Sequence, residues 1–117
     1  MNNITLVGRL GKDPETKTTA SGSPVTMLSL GVDRISKDKQ REVDWIDCTA
    51  WGKTGEVIQS WCKKGNRIGV TGSLQTRSWK TEDGQNRKVY FVLVDKVEFL
   101  EGGKSGQNDD GDMPFET

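Results

Sequence analysis

Two tryptophans lie in a segment whose side chains alternate like those of a β-strand. In residues 43–51, Trp45 and Trp51 share the odd positions with Asp47 and Thr49, whereas the even positions after Asp44 hold small or apolar residues. Because successive side chains of a strand point to opposite faces, the even face suits a core and the indoles point outward. An exposed indole can stack on the π-face of any nucleobase. The pattern therefore predicts a stacking platform for single-stranded nucleic acid.

A third indole, Trp79, shares the polar face of a later strand with Gln75 and Arg77. Trp61 instead falls on the apolar stripe of a predicted helix, so we assign it to the core. Basic residues beside the outward indoles could contact phosphates by charge attraction. The residues predicted to do so are Arg34, Lys37, Lys53, Arg77, Lys80 and Arg87. Together with Trp45, Trp51 and Trp79 they predict a groove in which bases stack and phosphates are neutralised.

The composition argues against catalysis. The chain contains no histidine, which removes the serine–histidine and cysteine–histidine nucleophiles and the common zinc sites. Gly52-Lys53-Thr54 matches the end of a P-loop, but Asp47 stands where that motif requires its first glycine. Asp44 and Asp47 have opposite parity on one strand and cannot grip one metal ion together. We expect no enzyme, no cofactor and no metal, and a small hydrolase is the disfavoured reading.

The bulk properties indicate one domain followed by a tail. Of the 117 residues, 1–101 carry 16 Lys/Arg against 13 Asp/Glu, a net charge of +3, and 102–117 carry one against four, a net charge of −3. A mildly basic body suits a polyanion, although an ordinary solvated surface would have the same charge. Cys48 and Cys62 lack CxxC spacing and are predicted to be small buried hydrophobes. No signal peptide or membrane-spanning run is evident, so we expect a cytoplasmic protein without membrane contact.

The elements that must position the indoles follow from the apolar pattern. Strand-like segments occupy residues 3–10, 25–32, 43–51, 67–79 and 87–100. Between the third and fourth, apolar residues at helical spacing predict a helix with Thr54 as N-cap and Gly65 after its end. This order predicts an all-β fold, a five-stranded OB-fold barrel with one helix between strands 3 and 4.

Irregularities of the strands are also predicted. The apolar residues of 25–32 change phase, which is typical of a β-bulge, and Gly69 and Gly72 favour bends in the fourth strand. The charged connector 33–42 should project as a finger. The Asp83-Gly84 turn should form a second finger beside the same groove.

Residues 102–117 are rich in Gly, Asn and Asp and predict a disordered tail. We therefore divide the chain into an OB-fold domain that is expected to bind single-stranded nucleic acid, 1–101, and a flexible acidic tail, 102–117. At the end of the tail, apolar anchors follow acidic residues, as in a short peptide that docks on a partner. The predicted docking tip consists of Asp109, Asp110, Asp112, Met113, Pro114 and Phe115.

Several blocks of the sequence resemble the bacterial-type single-stranded DNA-binding proteins, the SSB family. Besides Trp45, these blocks are LVGRL at 6–10, KDPE at 12–15, WGK at 51–53, KKG at 63–65 and GSLQTRSW at 72–79. They are spread over four predicted strands in the family's order. The resemblance covers the predicted body and returns at the acidic tip.

The resemblance implies an OB-fold that wraps single-stranded DNA without strong sequence preference, usually as a homotetramer. It implies protection of DNA during replication, recombination and repair, and recruitment of replication and repair enzymes by the tip. It also implies base stacking at Trp45, Trp51 and Trp79. Ile35 stands where many members have an aromatic residue, and Glu116-Thr117 extend beyond Phe115, where the family usually ends. The short linker, residues 102–108, favours a phage or mobile-element version.

Two interpretations of function remain open at this point. The first is sequence-nonspecific binding and protection of single-stranded DNA. The alternative is an OB-fold protein-interaction module of a replication-restart complex, with weak DNA binding and a partner held by the tail or a finger. Quenching of tryptophan fluorescence by oligothymidine would discriminate between them, because stacking changes the environment of the indoles.

Overall fold

The computed structural model describes residues 1–35 and 42–100. Its elements are β1 (Ile4–Leu10), β2 (Glu15–Thr18), β3 (Pro24–Arg34), β4 (Glu42–Trp51), α1 (Gly52–Trp61), β5 (Arg67–Lys80) and β6 (Asn86–Phe99). The outer part of the predicted first finger, with Lys37, and the predicted tail with its docking tip lie outside the described residues. The Asp83-Gly84 turn is confirmed between β5 and β6.

The strands form one sheet in the order β1-β5-β6-β4-β3-β2, and β1 also pairs with β3. That extra pairing, Arg9 with Gly31 and Leu10 with Leu30, closes β1, β5, β6, β4 and β3 into a ring. All pairings are antiparallel except the short one between β4 and β6. The predicted all-β, five-stranded OB-fold barrel is confirmed, with α1 between the third and fourth strands of the ring.

The sequence pattern did not reveal β2, a four-residue strand on the outer side of β3. Its residues, ETKT, are polar and show no apolar alternation. The strand is held by backbone pairing with β3, from Glu15 opposite Met27 to Thr18 opposite Pro24. The Thr16 hydroxyl also shares a 2.7 Å hydrogen bond with the Thr26 hydroxyl.

The core fills the barrel and the space beneath α1. Residues from every ring strand and from the helix are buried there, including Leu30, Ile58, Ile68 and Val92, each with no exposed surface. Trp61 packs against this core and is half-buried, with its ring centroid 6.4 Å from that of Phe99. Assigning Trp61 to the core is therefore confirmed.

The prediction of a β-bulge in the second strand-like segment, residues 25–32, is wrong. The pairing of β3 with β4 runs without a shift from Val25 opposite Trp51 to Arg34 opposite Glu42. The apolar phase change arises because Thr26, only 1% exposed, occupies a core position that the pattern assigns to an apolar residue. Its hydroxyl is satisfied by Thr16, so a polar side chain can be buried there without a large penalty.

The barrel bends instead between β5 and β6. Thr71 pairs with Lys96 and Gly72 with Val94, so Asp95 is the extra residue of a bulge. A Cβ atom at Gly72 would collide with the Leu93 carbonyl, which is why a glycine is needed at this crossing. The prediction of a bend at Gly72 is confirmed.

The helix begins earlier than predicted. It starts at Gly52, directly after β4, with Trp51 at the N-cap and no side-chain cap bond. Thr54 therefore lies inside the first turn, and its predicted role as N-cap is wrong. Gly52 has a φ of 58°, which lets the chain turn at once from strand to helix. Within the described part of the chain, no helix is long and apolar enough to cross a membrane.

Candidate nucleic-acid interface

The three predicted indoles are all exposed in the structure. Trp45 is 60% exposed, and Trp51 and Trp79 are each 46% exposed. In β4 the alternate residues Cys48 and Ala50 are buried, so the strand divides into a core face and an outer face as its sequence predicts. The outer face carries Trp45 and Trp51.

Trp79 lies on the same side of the sheet as the other two indoles. Thr49, on the indole face of β4, pairs with Leu93 of β6, and paired residues share a face. Every second residue from Leu93 back to Arg87 keeps that face. Arg87 in turn pairs with Trp79 of β5. The register therefore places Trp45, Trp51 and Trp79 on one continuous outer surface that crosses β4, β6 and β5.

A slot between two backbone segments holds the Trp45 indole. Gly31 pairs directly with Trp45 across β3 and β4, and Gly11 follows β1. A Cβ atom at Gly11 would lie 2.6 Å from the indole, and one at Gly31 would lie 2.8 Å from it. Both distances are far shorter than van der Waals contact, so the ring occupies space that only glycine leaves free. Strand alternation predicted that this indole points outward but not the two glycines that seat it.

Trp51 stands at the junction of β4 and α1, opposite Val25 of β3. Close packing fixes this junction, because a Cβ atom at Gly55 would lie 2.6 Å from the Ala50 carbonyl oxygen. Lys53 is exposed in the first turn of the helix. The structure thus places the predicted phosphate ligand Lys53 two residues beyond the Trp51 indole.

Trp79 is carried by a two-stranded extension of the sheet, which we call the arm: residues 75–80 of β5 and 86–91 of β6. Among the described residues, these segments pair only with each other. Residues 81–85 close the arm, where the Thr81 amide donates to the Gln85 carbonyl at 2.8 Å and Gly84 has a φ of 89°. The Thr81 hydroxyl donates to the Asp83 carboxylate and lowers the pKa of that carboxyl. The turn is therefore firmly hydrogen-bonded.

The basic residues of the arm surround its indole. Arg77 shares the face of Trp79, and Arg87 is paired with it. A shallow cleft at the end of the arm is lined by Ser78, Trp79, Lys80, Asn86, Arg87 and Lys88. Three predicted phosphate ligands, Arg77, Lys80 and Arg87, thus lie beside one predicted stacking residue, as a groove for single strands requires.

Arg34 has acidic partners at the root of the first finger. Its guanidinium lies 3.0 Å from a Glu42 oxygen and 2.7 Å from an Asp44 oxygen. The hydrogen bond from Arg34 lowers the pKa of Asp44, and the same bond raises that of Arg34. An exposed pair of this kind contributes little to stability, so a phosphate could compete for the guanidinium. Ile35, the next residue, is almost fully exposed.

The two thiols play no part in this surface. Cys48 and Cys62 are free and buried, and burial raises the pKa of each to about 12. They are the small buried hydrophobes that the sequence predicts. Within the described ranges, no group of three or more Cys, Asp or Glu side chains is arranged to hold a metal ion.

An OB-fold barrel with outward indoles on one face and a basic arm has the architecture of a single-strand-binding domain. The sequence profile described as the Single-strand binding protein family matches residues 1–100. The chain belongs to this family.

Curated relatives share much of the sequence. The chain is 44% identical over 120 residues to a "Single-stranded DNA-binding protein" of Clostridium tetani, covering 100% of this chain and 83% of the relative. It is 42% identical over 102 residues to "Single-stranded DNA-binding protein B" of Bacillus subtilis, covering 86% and 90%. A solved structure, "Plasmodium falciparum SSB complex with ssDNA", superimposes with a TM-score of 0.77 at 28% identity, covering 86% of this chain and 96% of the other.

Proposed function

We propose that this protein binds single-stranded DNA without strong sequence preference and protects it during replication, recombination and repair. The observation that carries the proposal is the register of the sheet, which places Trp45, Trp51 and Trp79 on one continuous outer face. The chain's family, and the single-stranded DNA for which its relatives are named, support the same ligand.

Base stacking on the three indoles gives affinity without selecting a sequence. Each nucleobase has a π-face, and covering one with an aromatic ring stabilises the complex by about 1–3 kcal/mol. Trp45 is pre-positioned by its glycine slot, so little conformational freedom is lost when a base stacks on it. In the free protein, the exposed surfaces of the three indole rings are available to stack on bases.

Phosphate contacts supply the remaining attraction. Lys53 binds phosphates near Trp51, and phosphates near Trp79 are bound by Arg77, Lys80 and Arg87. Arg34 contributes by exchanging its carboxylate partners for phosphate, and Lys37, which lies outside the described residues, is proposed as a further phosphate ligand. Each neutralised phosphate releases counterions, so binding weakens as salt rises.

We also propose an oligomeric state for the body and a partner-binding role for the tail. The body, residues 1–101, forms a homotetramer, and the tail, residues 102–117, presents its acidic tip to replication and repair enzymes. Family membership supports the first, and the composition of the tail supports the second. A protein with this role acts at the nucleoid, where single-stranded DNA is exposed.

Tryptophan fluorescence during titration with oligothymidine tests the proposal directly. We expect deep quenching by the single strand and none by a duplex of equal length. Trp51→Ala should lower affinity by the equivalent of about 1–3 kcal/mol. Trp61→Phe is the matched control, because that indole packs on Phe99 and the core; it should leave the affinity unchanged.

The absence of tryptophan quenching would contradict the proposal. If neither ligand changed the emission, the outward indoles would not be a stacking platform. The alternative, an OB-fold protein-interaction module with weak DNA binding, would then replace the proposal.

A further inference from the structure

The arm exposes a second aromatic face, opposite the one that carries Trp79. In β6, Arg87, Val89 and Phe91 share the Trp79 face, so Lys88 and Tyr90 point to the other side. Tyr90 is 60% exposed, as much as Trp45, and Leu74 on the same side is 44% exposed. Of the residues on this second face, the proposed function uses only Lys80, at the end of the arm.

We call this surface the reverse face of the arm; its residues are Leu74, Thr76, Ser78, Lys80, Asn86, Lys88 and Tyr90. It carries two lysines and no carboxylate. The Lys88 ammonium nitrogen lies 6.0 Å from the centroid of the Tyr90 ring. An exposed ring beside ammonium groups offers a nucleic-acid strand a surface on which a base can stack and positive charges that can bind its phosphates.

The root of the arm is tied to the N-terminal segment. The side-chain nitrogen Nδ2 of Asn2 donates to the Leu74 backbone carbonyl at 2.9 Å, and the Leu74 backbone N–H donates to the side-chain oxygen Oδ1 of Asn2 at 2.9 Å. Beyond Leu74, the outer edge of β5 has no strand beside it among the described residues. A ligand can therefore pass over this edge from one face of the arm to the other.

We propose that the reverse face is a second contact surface for the same single-stranded DNA, with a base stacked on Tyr90 and phosphates bound by Lys80 and Lys88. The strand then wraps around the arm, because Trp79 holds it on one side and Tyr90 on the other. The proposal rests on the proposed function. Charge favours DNA over a second copy as the occupant, because two acid-free basic faces repel each other.

Two measurements on the full chain test this. Oligothymidine carrying 5-iododeoxyuridine is photocrosslinked and the attached peptides are mapped; we expect crosslinks at Tyr90 as well as at Trp79. Tyr90→Ala should weaken oligothymidine binding by about fivefold or more. Tyr90→Phe, which keeps the ring, should bind normally. Ser60→Ala is the control, since Ser60 is exposed on α1, outside both faces of the arm, and should bind normally.

Other results would overturn the proposal. Crosslinks confined to Trp79, together with unchanged oligothymidine affinity in Tyr90→Ala, would show that DNA does not contact the reverse face. The proposed function would remain intact. If Tyr90→Ala instead dissociated the assembly in sedimentation at unchanged affinity, a second copy would be the occupant. Should Tyr90→Ala fail to fold, Lys88→Glu tests the same face and should also weaken binding. Failure of the wild type to bind oligothymidine would remove the proposed function itself.

Discussion

At the residue scale, Trp45 shows how an indole can be exposed and still be fixed in place. Its ring lies on the backbone of Gly31 and Gly11, which come from two other parts of the chain. Strand alternation was enough to predict the direction of the side chain, because parity is a local property. It could not predict the slot, because the partners of Trp45 depend on the pairing of β3 with β4 and on the position of the loop after β1.

The slot leads to a double-mutant prediction. Gly31→Ala would place a methyl group 2.8 Å from the indole and tilt the ring out of its seat. We expect oligothymidine affinity to fall by part of the about 1–3 kcal/mol of one stacked base. In a Trp45→Ala background the same glycine substitution should have no effect on affinity. Equal losses in both backgrounds, measured by fluorescence anisotropy of labelled oligothymidine, would show that Gly31 does not act through Trp45.

The buried thiols give a prediction about pH. Burial raises the pKa of Cys48 and Cys62 from 9.0 to about 12, so folding favours the neutral thiol. The stability that results is complete below pH 9.0 and is lost as pH rises towards 12. We expect the urea midpoint to fall over this range, and to fall less steeply in Cys48→Ala than in the wild type. Parallel slopes for the two proteins would contradict the assignment.

At the element scale, the five strands of the ring and the helix were predictable, β2 was not, and the irregularities of the strands were only partly predictable. Residues 92–99 of β6 show the phase change of a real bulge: Val92 and Val94 are buried, and after Asp95 the phase shifts to Val97 and Phe99. A similar change in β3 came from a buried threonine instead. A phase change alone cannot separate the two causes, because it does not reveal whether a polar side chain has a buried partner.

Two glycines of β5 provide a matched test of the bulge. Gly72→Ala would force a methyl group into the Leu93 carbonyl, and we expect a loss of about 1–3 kcal/mol of unfolding free energy. At Gly69 the nearest atom to an added Cβ is 3.6 Å away on Val7, an ordinary contact. Gly69→Ala should therefore cost little. Urea denaturation of both variants would measure the difference, and similar midpoints would mean that the backbone at Gly72 can yield.

At the scale of the whole molecule, the order of elements predicted the barrel, and the closed ring then decided which surfaces are continuous. No local pattern relates Trp79 to Trp45, since they lie on strands that do not pair with each other. Their common face follows from the short parallel contact of β4 with β6, at Cys48 with Val92 and Thr49 with Leu93. The candidate site was thus predictable residue by residue, whereas its continuity required the tertiary register.

The division of charge between body and tail gives the last prediction. Residues 1–101 carry a net +3 and residues 102–117 a net −3, so we expect the tail to compete with DNA for the basic surface. Replacing Asp109, Asp110 and Asp112 with Asn should raise oligothymidine affinity, more at low salt than at high salt because screening weakens the competition.

Phe115→Ala keeps every charge and removes an apolar anchor, so it should abolish pull-down of a replication or repair enzyme and leave DNA affinity unchanged. Deleting residues 113–117 removes the anchors and one acid, and should abolish pull-down with DNA affinity equal or slightly higher. Pull-down that survived this deletion would refute the docking role of the tip, whereas loss of DNA binding would show that the tail supports the groove.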